Sequence, residues 1–434
     1  MANTFSAYTV YNYDGTGGHG MAGRVFDTGS VVTTFPNMTQ NIANNINGDP
    51  KVEGVVQSGS NLDIVVTDYE NGVTNRPVYV YNAVTGSLDT TVSGGWSNVD
   101  NLYTLVQLGS YLYAIDYDNA RVVEIDPSTY AQTGISYTLA GSYVPSGYAA
   151  RGQALIVIGS TLYGLFTFVD SGWSSWAPSL LVRFSITGGS SIGIASATND
   201  TNANLAPNAF AMDVSGSDLY VAAIGGAQGS SGTPNAASRL QSIPYGATTL
   251  GTATVTDVMK PNNAGGTYPY EFRDISFNGG TAYVLMGTYN ASWNLAGMLV
   301  STTDFVNFTV IDDFSSGASG YFWMAQYTAD NDRLWYAKGN RIVLYDASST
   351  GTPVATMSFT ASAPYNLIAS GQAFDNLNDF AYVGPFSLTA RTMRGYRSPL
   401  QASRTPRAAR GRALAKGRPE LLPEEFKQLD AEFA

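Results

Sequence analysis

Apolar and polar positions alternate along most of this chain in short runs, each cut off by a turn of Gly, Ser, Asn or Asp. The stretch 109–129, GSYLYAIDYDNARVVEIDPST, shows the unit most plainly. A Gly-Ser turn leads into a strand with Leu112, Ala114 and Asp116 on one face and Tyr113, Ile115 and Tyr117 on the other. Asp118-Asn119 turns the chain into a second strand, Arg121 to Ile125, which stops at Asp126-Pro127. Two such strands are half of a four-stranded antiparallel sheet. One sheet of this size leaves an apolar face uncovered, so the pattern predicts neighbours of the same kind on both sides.

The start of the unit recurs at Asn61-Leu62, Leu112-Tyr113, Leu162-Tyr163, Leu219-Tyr220, Ala282-Tyr283, Leu334-Trp335 and Ala381-Tyr382. Counted from Leu62 and then from the first residue of each later pair, the spacings are 50, 50, 57, 63, 52 and 47. Seven copies of this length predict an all-β, seven-bladed β-propeller of four-stranded antiparallel blades over residues 1–390. In the third copy the expected strands are Ala154 to Ile158, Thr161 to Phe168, Leu180 to Ile186 and Ile192 to Ala197. The seventh copy offers only Asn366 to Ala373 and Asp379 to Val383. Phe5 to Tyr13 and Arg24 to Thr34 supply two more strands, so the ring is expected to close by pairing N- and C-terminal strands in one blade.

Leu112-Tyr113, Asp116, Asp118-Asn119, Arg121-Val122-Val123 and Asp126-Pro127 together resemble the repeat of YVTN or NHL-type β-propellers, with a fainter echo at Asn340-Arg341-Ile342-Val343 and Tyr345-Asp346. The resemblance implies the fold over roughly residues 5–390. It implies no activity, because such propellers include binding scaffolds as well as hydrolases and lyases. Ser301 to Thr309, STTDFVNFT, looks like a degenerate Asp-box of sialidase-type propellers, a structural motif.

Composition narrows the class. Hydrophobic residues make up 44% and charged residues only 13%, with 46 Gly and 28 Tyr, which suits an extracytoplasmic, secreted, cell-surface or virion protein rich in β-structure. Cysteine is absent and His19 is the single histidine, so thiolate chemistry, histidine-pair zinc sites and the usual Ser-His-Asp arrangement drop out. From Arg391 onward there are ten Lys and Arg against five Asp and Glu. The body therefore holds 12 basic and 28 acidic residues, net −16, which argues against nucleic acid or an anionic membrane as its partner. No apolar run has the length of a membrane span, and the first residues lack the basic start and apolar core of a signal peptide. Residues 391–434 read as a basic, disordered arm ending in a short amphipathic helix, with Leu422, Phe426, Leu429 and Phe433 on one face as a partner-docking or self-assembly surface.

In a propeller the loops between second and third strands share a face with the connections between blades. On that face this chain places Trp96, Tyr143, Tyr148, Trp173, Trp176, Tyr268, Tyr270, Trp293 and Tyr321, a set of rings suited to stacking on a glycan or filling pockets of a protein. The competing reading is that each ring plugs its own loop onto the blade beneath. The best charged cluster is Glu271, Arg273 and Asp274, with Arg151, Asp213, Asp100, Glu53 and Asp375 at comparable positions. Paired carboxylates there could serve a hydrolase or lyase, or hold calcium; hydrogen-bonded channel lining is the alternative. The leading expectation is a non-enzymatic propeller that needs no cofactor and binds a protein or glycan. The alternatives are a carboxylate-based hydrolase or lyase and a structural subunit joined through the arm.

Overall fold

The computed structural model describes residues 5–13, 18–26, 32–34, 49–56, 62–69, 77–82, 87–97, 99, 101–227, 234–261, 269–289, 295–314, 323–328, 333–338, 341–358 and 376–383. The chain folds as an all-β propeller of four-stranded antiparallel blades. Six blades are each made of four consecutive strands. Blade 1 contains β4 (Asp49–Val56), β5 (Leu62–Tyr69), β6 (Val78–Asn82) and β7 (Leu88–Val92); blade 2 contains β8 (Leu102–Leu108), β9 (Tyr111–Asp116), β10 (Arg121–Ile125) and β11 (Gln132–Thr138). Blade 3 contains β12 (Tyr148–Ile158), β13 (Thr161–Asp170), β14 (Trp176–Thr187) and β15 (Ser191–Gly193), with β16 (Thr201–Pro207) added beside β14. Blade 4 contains β17 (Ala209–Ser215), β18 (Asp218–Ala223), β19 (Arg239–Pro244) and β20 (Thr256–Met259). Blade 5 contains β21 (Phe272–Asn278), β22 (Thr281–Tyr289), β23 (Leu295–Thr302) and β24 (Phe308–Asp313), and blade 6 contains β25 (Trp323–Thr328), β26 (Arg333–Lys338), β27 (Arg341–Asp346) and β28 (Ser349–Ser358).

A further sheet is composite. Its order is β29 (Asn376–Val383), β1 (Phe5–Tyr13), β2 (Gly18–Phe26) and β3 (Val32–Thr34). The expected count of seven thus divides into six blades continuous in the chain and one sheet drawn from both ends. Phe5 pairs with Val383 and Thr9 with Asp379, so the two ends meet as the sequence suggests. Their shares differ from expectation: the C-terminal part gives one strand and the N-terminal part three. Arg24 to Thr34 is not one strand, because β2 ends at Phe26 and β3 begins at Val32. Asn366 to Ala373 and the arm with Leu422, Phe426, Leu429 and Phe433 lie outside the described residues.

Apolar residues from facing blades fill the spaces between sheets. Val65, Val80, Leu102 and Leu112 pack between blades 1 and 2, and Tyr103, Ile115, Phe166 and Val182 between blades 2 and 3. Burying each such side chain contributes about 1.5–3 kcal/mol. Gly152 permits a close approach at the second of these seams, since a Cβ there would sit 2.4 Å from the Asp116 carbonyl oxygen.

The recurring pairs have a specific task at the seams. In blades 2 to 5, the second residue of the pair reaches toward the turn between third and fourth strands of the next blade. Tyr113 donates to Glu124 (2.9 Å), which in turn accepts from the Gly189 backbone N–H in the turn of blade 3. Tyr163 donates to the Tyr245 carbonyl (3.0 Å), and Tyr283 to the Ala347 carbonyl (3.4 Å). Tyr220 makes the same crossing by stacking on Phe305, with ring centroids 5.3 Å apart. In blade 1 the position is Asp63, and the latch runs in reverse: Tyr130 of blade 2 donates to it.

A second repeated device is a β-bulge in the inner strand. The register shifts by one residue at Tyr103, Gln153, Phe210 and Arg273, at the second residue of β8, β17 and β21 and in the middle of the longer β12. The residue two positions earlier is polar in all four blades: Asn101, Arg151, Asn208 and Glu271. Bulges re-aim side chains, and here they mark the point where the inner strands open onto the loop face.

Candidate functional site

Arg151 is the bulge-linked residue of blade 3, and it points at the loop of blade 2. Its Nη1 donates to the Asp118 carbonyl (3.0 Å) and to Asp118 Oδ1 (3.2 Å), with both side chains about one-fifth exposed. The guanidinium lies over two aromatic faces, 5.0 Å from the Trp173 centroid and 5.5 Å from that of Tyr117. Its Nε is buried and has no hydrogen-bond partner among the described residues. A cation held over two rings gains about 0.5–2 kcal/mol.

The rings form a continuous series. Tyr103 and Tyr117 stack at 4.3 Å, Tyr117 and Trp173 at 6.4 Å, and Trp176 meets Trp173 edge-on at 6.1 Å. Tyr103 and Tyr117 are buried, Trp176 is nearly so, and Trp173 is half-buried. The indole N–H of Trp176 is enclosed and has no hydrogen-bond partner among the described residues.

Trp173 is held in an unusual backbone conformation, with φ of 55° in the left-handed region. For a bulky residue this is strained and persists only where the surroundings fix it. Asp170 does the fixing. Its carboxylate accepts from the Ser174 N–H (2.8 Å), the Ser175 N–H (3.1 Å) and the Ser174 hydroxyl (2.7 Å), while Trp173 N–H donates to the Asp170 carbonyl (3.1 Å). Burial opposes ionisation of Asp170, but the Ser174 hydroxyl and the two backbone N–H groups outweigh it and hold the carboxyl below its ordinary range. Tyr148 and Ser175 share a hydrogen bond of 2.9 Å at the same edge. The result is one preformed wall: a flat half-buried indole, a fork of Arg151 and Asp118, and hydroxyls from Tyr148, Ser174 and Ser175.

The structure thus brings Tyr148, Trp173 and Trp176 together and sorts the other expected residues differently. Tyr143 is partly buried against the same core. Trp96 is buried and donates its indole N–H to the Tyr130 carbonyl (2.8 Å), so it pins its own loop instead of presenting a face. Tyr270 packs against the core between blades 4 and 5, where burial, reinforced by Asp313, pushes its hydroxyl pKa up. Tyr268, Trp293 and Tyr321 lie outside the described residues. The connection between the strands expected at Thr161 to Phe168 and Leu180 to Ile186 is shorter than that spacing implies, because β13 runs on to Asp170 and Trp176 already belongs to β14. Tyr103, Tyr117 and Asp118 are not among the site residues that the sequence suggests. Their signal was positional: they border the bulge and the second-to-third-strand turn of the clearest repeat.

Glu271 and Arg273 also meet, but inside the protein, and Asp274 is buried as well. Arg273 Nη2 and Glu271 Oε2 are 2.5 Å apart with both side chains fully enclosed. Arg273 Nε donates to the Gly287 carbonyl (2.8 Å), Glu271 Oε1 accepts from the Asn235 N–H (2.8 Å), and Asp274 accepts from the Ile275 N–H (2.8 Å). This is a hydrogen-bonded strut joining blade 5 to the loop of blade 4, the lining role that sequence reasoning gave as the alternative. Asp213 does comparable work, accepting from Phe277 N–H of the next blade (3.0 Å). Among the described residues no three histidine or acidic side chains gather as ligands for a cation, and no helix is long and apolar enough to cross a membrane.

No protein-family model matches the chain, and no curated protein matches it. Among solved structures it is similar to a candidate 6-phosphogluconolactonase from Bacteroides fragilis, with 12% identity, a TM-score of 0.53, and 88% of this chain and 98% of that one covered. It is also similar to the periplasmic gluconolactonase of Pseudomonas aeruginosa, with 10% identity, a TM-score of 0.48, and 88% and 99% covered. At such identity the first likeness bears on architecture alone, and it agrees with the strand order: this chain is a β-propeller.

Proposed function

We propose that this propeller is a non-catalytic recognition module of a cell surface, secreted particle or virion, and that it binds a glycan on its loop face at the seam of blades 2 and 3. The observation that carries the reading is Trp173, forced to a positive φ and braced by Asp170 so that its indole stands beside the Arg151–Asp118 fork. Strain at an exposed turn points to function when a dedicated network maintains it. A flat ring matches the apolar face of a sugar, while the fork and the hydroxyls of Tyr148, Ser174 and Ser175 match its hydroxyls. The composite sheet, as a seventh blade closing the ring, would give this face a rigid base. The hydrolytic alternative rested on Glu271, Arg273 and Asp274, and the burial of all three and the pairing of Glu271 with Arg273 support a structural role for them instead.

A glycan array probed with the full chain tests the reading. Wild type is expected to select a defined sugar class, with Trp173→Ala weakening binding at least about tenfold at an unchanged circular dichroism spectrum. Absence of any selective signal from wild type, or equal binding by Trp173→Ala and Arg151→Gln, would exclude this site.

A further inference from the structure

Residues 101–207, which build blades 2 and 3, contain three arginines and no lysine, set against six acidic residues. Two of the arginines are engaged away from the Trp173 wall. Arg183 donates to Asp200 (2.8 Å) and to the carbonyls of Asn199, Ala247 and Thr248. Arg121 donates from Nε to Thr138 on the outer strand (2.7 Å), and it shares a face of β10 with Val123, which packs toward blade 1. Arg151 is therefore the one cation that these two blades bring to the wall.

Its charge is already answered. Asp118 accepts from Nη1 through both its carbonyl (3.0 Å) and its carboxylate (3.2 Å). More negative charge surrounds the pair. Burial opposes ionisation of Asp170, but its bonds to Ser174 and Ser175 outweigh it, so this carboxyl is ionised at neutral pH. Asp116 is fully enclosed two residues before Asp118; burial and the Asp118 charge push its pKa up to about 7, so it adds negative charge as pH rises through that value. An incoming carboxylate or sulfate would have to displace Asp118 from Arg151 or lie beside it against like charge, with both groups partly withdrawn from water. A hydroxyl asks for less. It needs a hydrogen-bond partner but no counter-charge, and Nη2 of Arg151 is a donor that no described residue uses. Resting on the reading of the Trp173 wall as a glycan site, we infer that Asp118 sets the specificity of that site: by neutralising Arg151 it confines the wall to glycans without carboxylate, sulfate or phosphate groups.

An array of matched pairs, each a neutral glycan printed beside its sialylated, sulfated or uronate counterpart, tests this on the full chain. Wild type should favour the neutral member at least about tenfold, with a signal that hardly changes as salt rises, because binding pairs no net charge. Asp118→Asn bares the charge of Arg151 and should shrink or reverse that preference by about fivefold or more. Asp118→Glu keeps a carboxylate beside Arg151 and should retain it. Asp118 is about one-fifth exposed, so both variants should keep the wild-type circular dichroism spectrum, and Asp118→Ser replaces the asparagine variant if that one folds poorly. Absence of any selective signal from wild type would remove the glycan site itself. Three results would overturn the role of Asp118 alone: Trp173-dependent binding that selects the acidic members, a neutral preference that Asp118→Asn leaves unchanged, or loss of neutral binding in that variant with no gain for acidic glycans.

Discussion

Asp116 shows how one residue can make the repeat both stable and sensitive to pH. It ends β9 fully enclosed, with Oδ1 accepting from the Asn101 N–H (2.8 Å) and Oδ2 from the Asn119 N–H (2.6 Å) and side-chain amide (2.7 Å). These bonds favour the carboxylate, yet burial, with Asp118 nearby, outweighs them and pushes the pKa up to about 7. The folded pKa lies above the unfolded one. The stabilising contribution of this group is therefore complete below about pH 4 and is lost as pH rises through about 7. Thermal melts of wild type and Asp116→Asn between pH 4.5 and 8 should differ in slope, with the variant losing less stability on going from acid to neutral pH. Parallel slopes would show that the carboxyl is ionised throughout the range. Trp173 and Arg151 belong to the same scale, since the proposed site depends on a single backbone torsion and a single guanidinium.

At the scale of elements, the seam latches turn a sequence repeat into a mechanical one. Tyr163 and Tyr220 occupy equivalent places but cross to the next blade by different chemistry, a hydrogen bond in one case and a ring stack in the other. Tyr163→Phe should cost about 1 kcal/mol in urea unfolding. Tyr220→Phe should be close to neutral, and Tyr220→Ala should cost about 3 kcal/mol because the stack and the buried area go together. Equal losses for the two phenylalanine variants would contradict this division. The latches explain why blade starts were legible in the sequence: the tyrosine recurs because its hydroxyl or ring has a partner one blade away. The seventh pair, Ala381-Tyr382, misled for a physical reason. First and second strands both sit deep in a propeller and carry similar apolar runs, so local pattern cannot rank them, and β29 proved to be an inner strand. β2, GHGMAGRVF, is so rich in glycine that it carries little strand signal, which hid the third N-terminal strand. Part of the proposed wall was legible as aromatic residues on a shared face. The placement of Arg151 over Trp173 was not, because it depends on the bulge at Gln153 and on contact between blades 2 and 3.

For the whole molecule the decisive joint is β1, which pairs with β29 on one side and β2 on the other. Every backbone N–H along its paired length faces a neighbour on one of the two sides. Ala7→Pro would remove one such donor in mid-strand, opposite Ala381 and Arg24, at a cost of about 3 kcal/mol or more. Proteolysis near both termini should accelerate well before the tyrosine-latched blades lose their near-ultraviolet signal. Digestion no faster than wild type would show that the composite sheet contributes little to holding the ring.

That same joint sets a schedule for biosynthesis. Phe5 finds its partner Val383 only after 378 further residues have been made, which at the usual pace of about 5–20 residues per second takes on the order of 20–75 s. Throughout that interval β1 can pair with β2 but lacks its partner on the other edge. Whatever accompanies the emerging polypeptide, a chaperone or a translocation channel, must keep that open edge from pairing with the wrong neighbour until β29 has emerged.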